Sequence, residues 1–295
     1  MTGLLLVDKP VGMTSHDVVD CIRRAAGLRR IGHTGTLDPG ATGLLVLCLG
    51  KATRLSEHLT GLDKTYEGTM RMGVVTDSYD LDGKVLEERP VPELTAEAIQ
   101  SVCDGYTGEI DQTPPMVSAV KVGGERLYKL ARKGETVDRP ARRVSVKEFR
   151  VLSYEAPDAR VRVCCSSGTY VRSLCHDVGQ ELGCGAVLAS LRRTFVGRHA
   201  ASDALPVAEF TGPEVVESRL LPIDSALDLP EVIVRNASRS VLMSGGTLLL
   251  PDLKGPCPAR EGWVQMKGEN GRLLALGSVD TTAAGPRIHP KRVLV

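Results

Sequence analysis

The sequence is poor in aromatic residues and carries almost no net charge. Aromatic residues make up 3% of the 295 positions, so each of the six tyrosines has a raised chance of a specific role. The formal net charge of +1 at pH 7 gives by itself no sign of a polyanionic partner. The length exceeds that of a usual single domain, which predicts one large domain and a smaller one.

The eight cysteines lack the spacing of metal ligands. None forms a C-x-x-C pair, and Cys48 lies inside the apolar run LLVLCL (44–49). This pattern argues against a zinc site and a disulfide framework, and it favours buried free thiols in a reducing compartment. The chain also lacks a basic segment followed by a long apolar stretch, and no apolar run reaches membrane-spanning length. We therefore expect a soluble, cytoplasmic protein with no membrane partner.

Charge is segregated along the chain rather than absent. Residues 77–111 contain ten acidic and two basic residues, whereas residues 121–150 contain ten basic and four acidic ones. Smaller basic clusters lie at residues 23–30 and 192–198. Such asymmetry is typical of a protein with one face directed at a polyanion. Solvated helix faces explain any one of these clusters equally well.

The predicted strands and helices do not alternate regularly. Buried or alternating apolar runs predict strands at 3–8, 44–49, 66–72 and 161–165. Helical spacing and capping residues predict helices at 14–27, after Thr95, at 125–133 and at 171–182. Because there is no repeated βα unit, the large domain is predicted to be α+β.

A domain boundary is predicted in the Pro-punctuated segment 221–230 (LPIDSALDLP). Short strand-like runs follow it: EVIV, GGTLLL, WVQMK, RLLALGSV and HPKRVLV. This pattern is typical of a compact β-barrel-like module. We therefore place the large domain at residues 1–225 and the small one at residues 228–295.

The segment GHTGTLDPGATG (32–43) is a Gly-rich loop around a single carboxylate. Its four glycines allow a close approach to a ligand and positive φ angles. The G-K-[ST] ending of a phosphate-binding P-loop is missing. Taken alone, Asp38-Pro39 is most simply a turn initiator.

This loop resembles the catalytic motif of the bacterial tRNA pseudouridine synthase B (TruB) family. Five further segments resemble the other motifs of that family, in the same order: KPVGMTS (9–15), KTYEG (64–68), PPMVSAVKVGGERLYKLARKG (114–134), SSGTYVRSL (166–174) and LRRTFVG (191–197). Sister families that act on large ribosomal RNA have Arg-Leu-Asp where this chain has Thr36-Leu37-Asp38, which favours the tRNA branch. One departure is Val117, where the family usually has an aromatic residue.

The resemblance implies a reaction and a fold. The reaction is the isomerisation of uridine to pseudouridine at position 55, in the T-loop of tRNA, by cleavage of the N1–C1′ bond and rejoining at C5. The implied fold is an α+β catalytic domain with a mixed, largely antiparallel sheet, followed by a PUA-like barrel that binds RNA. Because the energy of the broken bond is regained in the product, no cofactor and no metal is expected.

The resemblance also assigns roles to six residues. Asp38 is the expected catalytic carboxylate, either as a nucleophile at C1′ or as a stabiliser of an oxocarbenium ion. Arg172 is its expected ion-pair partner. The other four are expected to bind the substrate, with Tyr66 stacking on the flipped uracil, Tyr170 lining the pocket, Leu191 packing on the base and His33 filling the gap in the RNA. Without the resemblance, core packing or solvent exposure explains each of them.

The expected partner is the T-arm stem-loop of tRNA, gripped by the basic segment at about 114–150. We expect a monomer without an obligatory protein partner. Two other functions stay open. One is a non-catalytic RNA-binding or tRNA-chaperone protein, against which the intact Asp38, Tyr66, Tyr170 and Arg172 argue. The other is the catalytic subunit of a guide-RNA-dependent particle, whose long basic tails are missing here.

Overall fold

The computed structural model describes residues 1–118, 120–127, 130, 135, 137–283 and 285–294. The strands are β1 (Gly3–Lys9), β2 (Ile31–His33), β3 (Thr42–Leu49), β4 (Lys64–Met72), β5 (Val74–Thr76), β6 (Val85–Glu88), β7 (Gly108–Gln112), β8 (Lys121–Val122), β9 (Glu125–Arg126), β10 (Arg142–Glu155), β11 (Asp158–Cys165), β12 (Ala186–Val196), β13 (His199–Ala200), β14 (Leu205–Pro206), β15 (Glu231–Val234), β16 (Gly262–Gly268), β17 (Leu273–Thr282) and β18 (Gly285–Val293). The α-helices that lie wholly within the described residues are α1 (Ser15–Ala26), α2 (Ser56–Gly61), α3 (Ala96–Asp104), α4 (Val171–Glu181), α5 (Pro213–Ser218) and α6 (Arg239–Met243). In these described residues no helix is both long and apolar enough to cross a membrane.

The large sheet is mixed and mostly antiparallel. Its strand order is β14-β1-β3-β12-β4-β11-β10-β7, with β2 added to β3 and β13 added to β12. The pairs β1–β14 and β3–β12 are parallel, and the other pairs of this sheet are antiparallel. The predicted α+β class and the predicted character of the sheet are confirmed.

Helix α1 begins and ends where its sequence predicts. The Thr14 side chain accepts a hydrogen bond from the Asp17 N–H, and the Asp17 carboxylate accepts one from the Thr14 N–H, which forms a capping box. Gly27 ends the helix in the left-handed conformation with φ 60°. The helix therefore presents Val18 and Ile22 to the core at a fixed register.

The central strands β1 and β3 are apolar on both faces because both faces are covered. On one face, Leu5 and Leu47 pack with residues of α1. On the other face, Leu4 and Leu44 pack with residues of the C-terminal module, including Leu276 of β17. Continuous apolar runs are typical of strands buried on both sides. The helices α3 and α4 cover the β4–β11 part of the sheet.

The C-terminal module is a four-stranded sheet in the order β15-β16-β17-β18. The segment after α6 bridges both of its edge strands, through Val234 with Leu253 and through Leu248 with Ile288, so the small sheet closes in a barrel-like way. The prediction of a strand at GGTLLL was wrong. The Asp252 carboxylate accepts a hydrogen bond from the Leu249 N–H, which favours a short 3₁₀ turn there over a strand.

The prediction of a helix over residues 125–133 was wrong at its start. Residues 125–126 form β9, which pairs with β8 in a hairpin. Gly123 and Gly124 make the two-residue turn, both with positive φ, and glycine pairs favour this type of turn. Leu127 and Leu130 are helical, as predicted. Residues 128, 129 and 131–134 lie outside the described residues.

Candidate active site

The Gly-rich loop joins β2 to β3 and is held in place by hydrogen bonds from residues of the motif KPVGMTS (9–15). The Ser15 hydroxyl donates to the Leu37 carbonyl at 3.1 Å and accepts from the Leu37 N–H at 2.8 Å. The ammonium group of Lys9 is fully buried and donates to the carbonyls of Met13 at 2.6 Å and Pro39 at 3.3 Å. Burial lowers the pKa of Lys9, an effect that Asp38 partly opposes. These contacts hold the loop on both sides of Asp38.

The Arg193 side chain forms hydrogen bonds near both ends of the same loop. Its buried guanidinium donates to the Gly35 carbonyl at 3.1 Å and to the Leu44 carbonyl at 2.7 Å. Gly43 lies against the Arg193 backbone with φ +97°, and a Cβ there would lie 2.3 Å from the Arg193 carbonyl oxygen. The glycine is therefore required where β3 meets β12.

Arg172 is the centre of the site. It is the second residue of α4, and its side chain is 5% exposed. Its Nη2 atom lies 2.9 Å from Asp38 Oδ2 and donates to the Val117 carbonyl at 2.9 Å. Its Nη1 atom donates to the Ser78 carbonyl at 2.8 Å and lies 3.4 Å from Asp80 Oδ2. The guanidinium thus joins the loop that carries Asp38 to the acidic segment.

Asp80 is a site residue that the sequence analysis missed. It lies among ten acidic residues, and neither spacing nor hydropathy separates it from the others. Burial raises the pKa of the Asp80 carboxyl, and the hydrogen bond from Ser78 and the charge of Arg172 oppose that rise. Lys9 and Arg193 were missed as well, although both stand in the quoted motifs KPVGMTS and LRRTFVG. Their burial is the feature that a sequence does not display.

Tyr66 and Leu191 share one face of the sheet. In the β4–β12 pair, Gly68 lies opposite Leu191 and Tyr66 lies opposite Arg193. Because side chains alternate along a strand, Tyr66 and Leu191 project to the same side, with the glycine between them leaving space. A Cβ on Gly68 would lie 2.6 Å from the Ser190 carbonyl. Burial raises the pKa of the Tyr66 phenol, and the neighbouring Arg193 opposes this shift.

Tyr170 is the N-cap residue of α4 and is held by Gln112. The buried Gln112 amide accepts from the Tyr170 N–H at 2.7 Å and donates to the Tyr170 carbonyl at 3.1 Å. This exchange satisfies backbone groups at the start of the helix, where a capping partner is needed. It also fixes the position from which Arg172 enters the site. Burial raises the pKa of the Tyr170 phenol.

A cavity of about 270 Å³ brings most of the predicted site residues together. The predicted residues that line it are Asp38, Tyr66, Tyr170, Arg172 and Leu191. Lys64 also lines it, and burial lowers the pKa of that ammonium group to about 8. His33 is not among the lining residues. It lies at the end of β2, half-buried, where its ring accepts a hydrogen bond from the Gly35 N–H at 3.4 Å.

Sequence comparison links this chain to a family and to named relatives. The family described as "TruB family pseudouridylate synthase (N terminal domain)" matches residues 23–171, and "tRNA pseudouridylate synthase B C-terminal domain" matches residues 172–228. A relative from Opitutus terrae, named tRNA pseudouridine synthase B, is 50% identical over 77% of this chain and 95% of its own length. A relative of the same name from Thermotoga maritima is 41% identical over 96% of this chain and 91% of its own length.

Solved structures match the fold over almost the whole chain. A structure titled "Crystal structure of the archaeal box H/ACA sRNP Nop10-Cbf5 complex" superposes with a TM-score of 0.75 at 25% identity, covering 99% of this chain and 86% of the other. A second, titled "Crystal Structure of a Cbf5-Nop10-Gar1 Complex", gives a TM-score of 0.74 at 27% identity, covering 99% and 85%. The whole architecture, including the C-terminal sheet, is therefore shared with these proteins.

Proposed function

Since the chain belongs to the TruB family of pseudouridylate synthases, we propose that it converts uridine to pseudouridine in the T-loop of tRNA, at position 55, with Asp38 as the catalytic carboxylate. The enzyme is an isomerase. One observation carries the assignment of Asp38: its carboxylate lies 2.9 Å from a buried guanidinium, beside a cavity with an aromatic and an apolar wall.

The reaction requires a group that acts at C1′. The N1–C1′ bond breaks, the uracil turns, a C5–C1′ bond forms, and the hydrogen lost from C5 is balanced by one gained at N1. A carboxylate stabilises the electron-poor C1′ or bonds to it, as in glycoside cleavage. The Asp38 side chain is 51% exposed, so a nucleotide can reach it. Arg172 holds the carboxylate in one orientation. When the substrate binds, it covers the part of the Asp38 side chain that is exposed to solvent in the free protein.

The remaining site residues bind the base. Tyr66 and Leu191 project from neighbouring strands to one side of the sheet, and an extruded uracil fits against the two of them. Tyr170 lines the same cavity beside Arg172. His33, at the end of β2, occupies the gap that the extruded nucleotide leaves in the RNA.

The basic segment at about 114–150 and the C-terminal module bind the tRNA outside the active site. The segment at about 114–150 supplies basic residues to the T-arm backbone, and part of it lies outside the described residues. We divide the chain into a catalytic domain at residues 1–225 and a PUA-like RNA-binding domain at residues 228–295.

The protein acts as a monomer, without an obligatory protein partner. Its location is the cytoplasm, and its eight cysteines are free thiols, as a reducing compartment requires.

The test is pseudouridine formation on a bare T-arm stem-loop under single-turnover conditions, with binding measured on filters for the same RNA. Asp38→Asn keeps the size of the side chain and removes its charge and its nucleophilic oxygen. We expect at least about a 1000-fold slower chemical step, equal to about 4 kcal/mol of barrier, with RNA affinity almost unchanged. The matched control is Asp20→Asn on α1, which makes the same chemical change outside the cavity. Substantial turnover by Asp38→Asn would refute the assignment.

The same assay separates the two alternatives. A non-catalytic tRNA-binding or chaperone protein would bind the stem-loop and leave its uridine unchanged. A guide-RNA-dependent subunit would modify nothing until a guide RNA was added. The relatives named tRNA pseudouridine synthase B are 41% and 50% identical, against 25% and 27% for the two solved Cbf5 complexes, which favours activity on bare tRNA.

A further inference from the structure

Tyr79 has a backbone conformation that a residue with a Cβ rarely adopts. Its φ angle is +66°, and no other non-glycine residue in the described part of the chain has a positive φ. Glycine, asparagine and aspartate are the residues usually found in this region, because a bulky side chain raises the free energy of the left-handed backbone conformation. The neighbouring structure must therefore stabilise a tyrosine in this turn.

A ring stack supplies that stabilisation. The Tyr79 and His176 rings lie 3.9 Å apart between centroids, at an interplanar angle of 16°. The Tyr79 carbonyl also accepts a hydrogen bond from the Leu188 N–H at 3.0 Å. The buried Nδ1 atom of His176 has no hydrogen-bond partner within the described residues. Among the described residues, the stack on Tyr79 is the aromatic contact of this imidazole.

The two residues beside Tyr79 hold the same atom of Arg172. Ser78 gives its carbonyl to Nη1 at 2.8 Å, and the Asp80 carboxylate lies 3.4 Å from Nη1. The Ser78 hydroxyl donates to the other oxygen of Asp80, and the Thr76 hydroxyl donates to the Asp80 carbonyl at 2.7 Å. The left-handed turn at Tyr79 directs both neighbours to one side. Nη1 is thereby occupied, and Nη2 faces Asp38.

His176 and Arg172 lie one turn apart on α4, at positions i+4 and i. Residues with this spacing project from the same side of a helix. Helix α4 therefore carries on one side both the His176 ring, which stacks on Tyr79, and the Arg172 guanidinium, which binds Ser78 and Asp80. We propose that Tyr79 and His176 are positioning residues for catalysis, whose stack holds Ser78 and Asp80 on Arg172 and so fixes the orientation of Asp38. This inference rests on the proposed role of Asp38.

Three variants of Tyr79 separate the ring from the backbone. Tyr79→Phe keeps the stack and the strained turn. Tyr79→Asn and Tyr79→Gly both tolerate positive φ and remove the stack. We expect Tyr79→Phe to retain the single-turnover rate within about threefold, and Tyr79→Asn and His176→Ala to lower it by about tenfold or more, with stem-loop affinity unchanged. Equal losses in Tyr79→Phe and Tyr79→Asn, or a fully active Tyr79→Asn, would overturn the proposal.

A double-mutant cycle tests whether the stack acts through Asp80. In an Asp80→Asn background, adding Tyr79→Asn should cost less than it costs in the wild type, at most about threefold, because one of the two Arg172 contacts that the stack positions is already weakened. Losses that multiply would show that the stack supports the fold in general and not this contact. Thermal unfolding of every variant identifies a loss that comes from unfolding. If Tyr79→Asn does not fold, Tyr79→Gly replaces it in the cycle.

A readout without catalysis keeps this inference distinct from the proposed function. NMR signals of the Arg172 guanidinium report its hydrogen bonding directly in the full chain. Slow exchange with solvent is expected in the wild type and in Tyr79→Phe, and faster exchange in Tyr79→Asn. If the wild type modified no RNA, the proposed function would fail while this result could still hold. If the guanidinium signals were the same in all three proteins, the positioning role would be refuted.

Discussion

The Nη2 atom of Arg172 lies 2.9 Å from Asp38 Oδ2, although the arginine side chain is 5% exposed and the aspartate side chain is 51% exposed. The pair thus joins a fixed, buried group to one that the substrate can reach. A bare ion pair at a surface contributes little, because solvent competes for both charges. Here the guanidinium also binds Ser78, Asp80 and Val117, so its position does not depend on Asp38.

This division of contacts predicts different effects for two substitutions of Arg172. Arg172→Lys keeps the charge but has no planar fork, so one ammonium group cannot serve both Asp38 and the 78–80 turn. We expect at least about a 100-fold slower chemical step with RNA affinity within a few-fold. Arg172→Met leaves the Asp80 carboxylate without its partner in a half-buried site and should lower the free energy of unfolding by about 3 kcal/mol.

Single-turnover rates and urea unfolding check both expectations. The matched control is Arg162→Lys on β11, where the ion pairs with Glu67 and Glu148 are more exposed, and neither quantity should change much there. An Arg172→Lys enzyme with wild-type rate would mean that charge alone, without the fork geometry, is enough.

Local sequence patterns correctly predicted the helices and strands that are determined by nearby residues. The capping box at Thr14 and the glycine at position 27 both belong to α1 and both lie where predicted. Buried runs such as 44–49 were predicted as strands for the same reason. The run GGTLLL was predicted as a strand as well, but that prediction was wrong because a turn stabilised by Asp252 prevailed over the apolar pattern. Hydropathy alone does not show this competition.

The site was only partly predictable because its contacts are long-range. The motifs indicated Asp38 and Arg172, which lie 134 positions apart, through the family resemblance and not through any spacing rule. Asp80 joins them only after the acidic segment folds over α4. The buried cations Lys9 and Arg193 hold the loop through backbone carbonyls, and a sequence does not reveal such contacts. These residues could be found only once the fold was known.

Val117 provides a test of the departure from the family pattern. The residue is 40% exposed, and it binds Arg172 through its backbone carbonyl, so the side chain can change without removing that bond. An aromatic side chain here could stack on a base of the RNA, a contact worth about 1–3 kcal/mol. We expect Val117→Phe to tighten stem-loop binding by at least about threefold without raising the rate at saturation. Val117→Leu is the aliphatic control, and equal affinities for both variants would place this position outside the RNA contact.

The basic segment predicts a salt-dependent affinity. Arg142 and Arg143 are exposed at the start of β10, and the Arg143 side chain is 72% exposed with a loose 3.6 Å pair to Glu109. If both meet phosphates, each contributes roughly 0.7–0.9 to the slope of log affinity against log salt. Replacing both by Gln should therefore flatten the slope by about 1.5 and leave the modified uridine unchanged. Arg219→Gln, on an exposed position after α5, serves as the control, and an unaltered slope in the double variant would make this segment a solvated surface.

The C-terminal module is predicted to unfold together with the catalytic domain. Leu276 of β17 is fully buried in a core that it shares with Leu4 and Leu44 of the large sheet. Leu276→Ala should therefore lower the stability of both sheets, by about 2–5 kcal/mol, in a single transition. The exposed Leu250→Ala is the control and should have little effect. Two separate transitions in the wild type would show that the modules are independent.

The last prediction concerns a carboxyl group of α4, one residue beyond the stacked His176. Burial raises the pKa of Asp177 to about 6, from an ordinary value of 3.8. The folded protein therefore binds this proton more tightly than the unfolded chain does. The stability that this group contributes is complete below pH 3.8 and is lost as the pH rises through about 6.

At pH 7.5 the ionised Asp177 is partly buried, which destabilises the fold. Asp177→Asn removes that charge and should raise the free energy of unfolding by about 1–2 kcal/mol at pH 7.5, a value reduced from the full pKa shift because some solvent reaches the group. At pH 4 the wild-type carboxyl is mostly protonated in the fold, so the two proteins should differ little. Urea unfolding at both pH values measures this, with Asp20→Asn on α1 as the control. A gain of the same size at pH 4 and pH 7.5 would show that shape or hydrogen bonding, and not ionisation, causes the effect, and a loss at pH 7.5 would mean that the charge of Asp177 is needed by a partner.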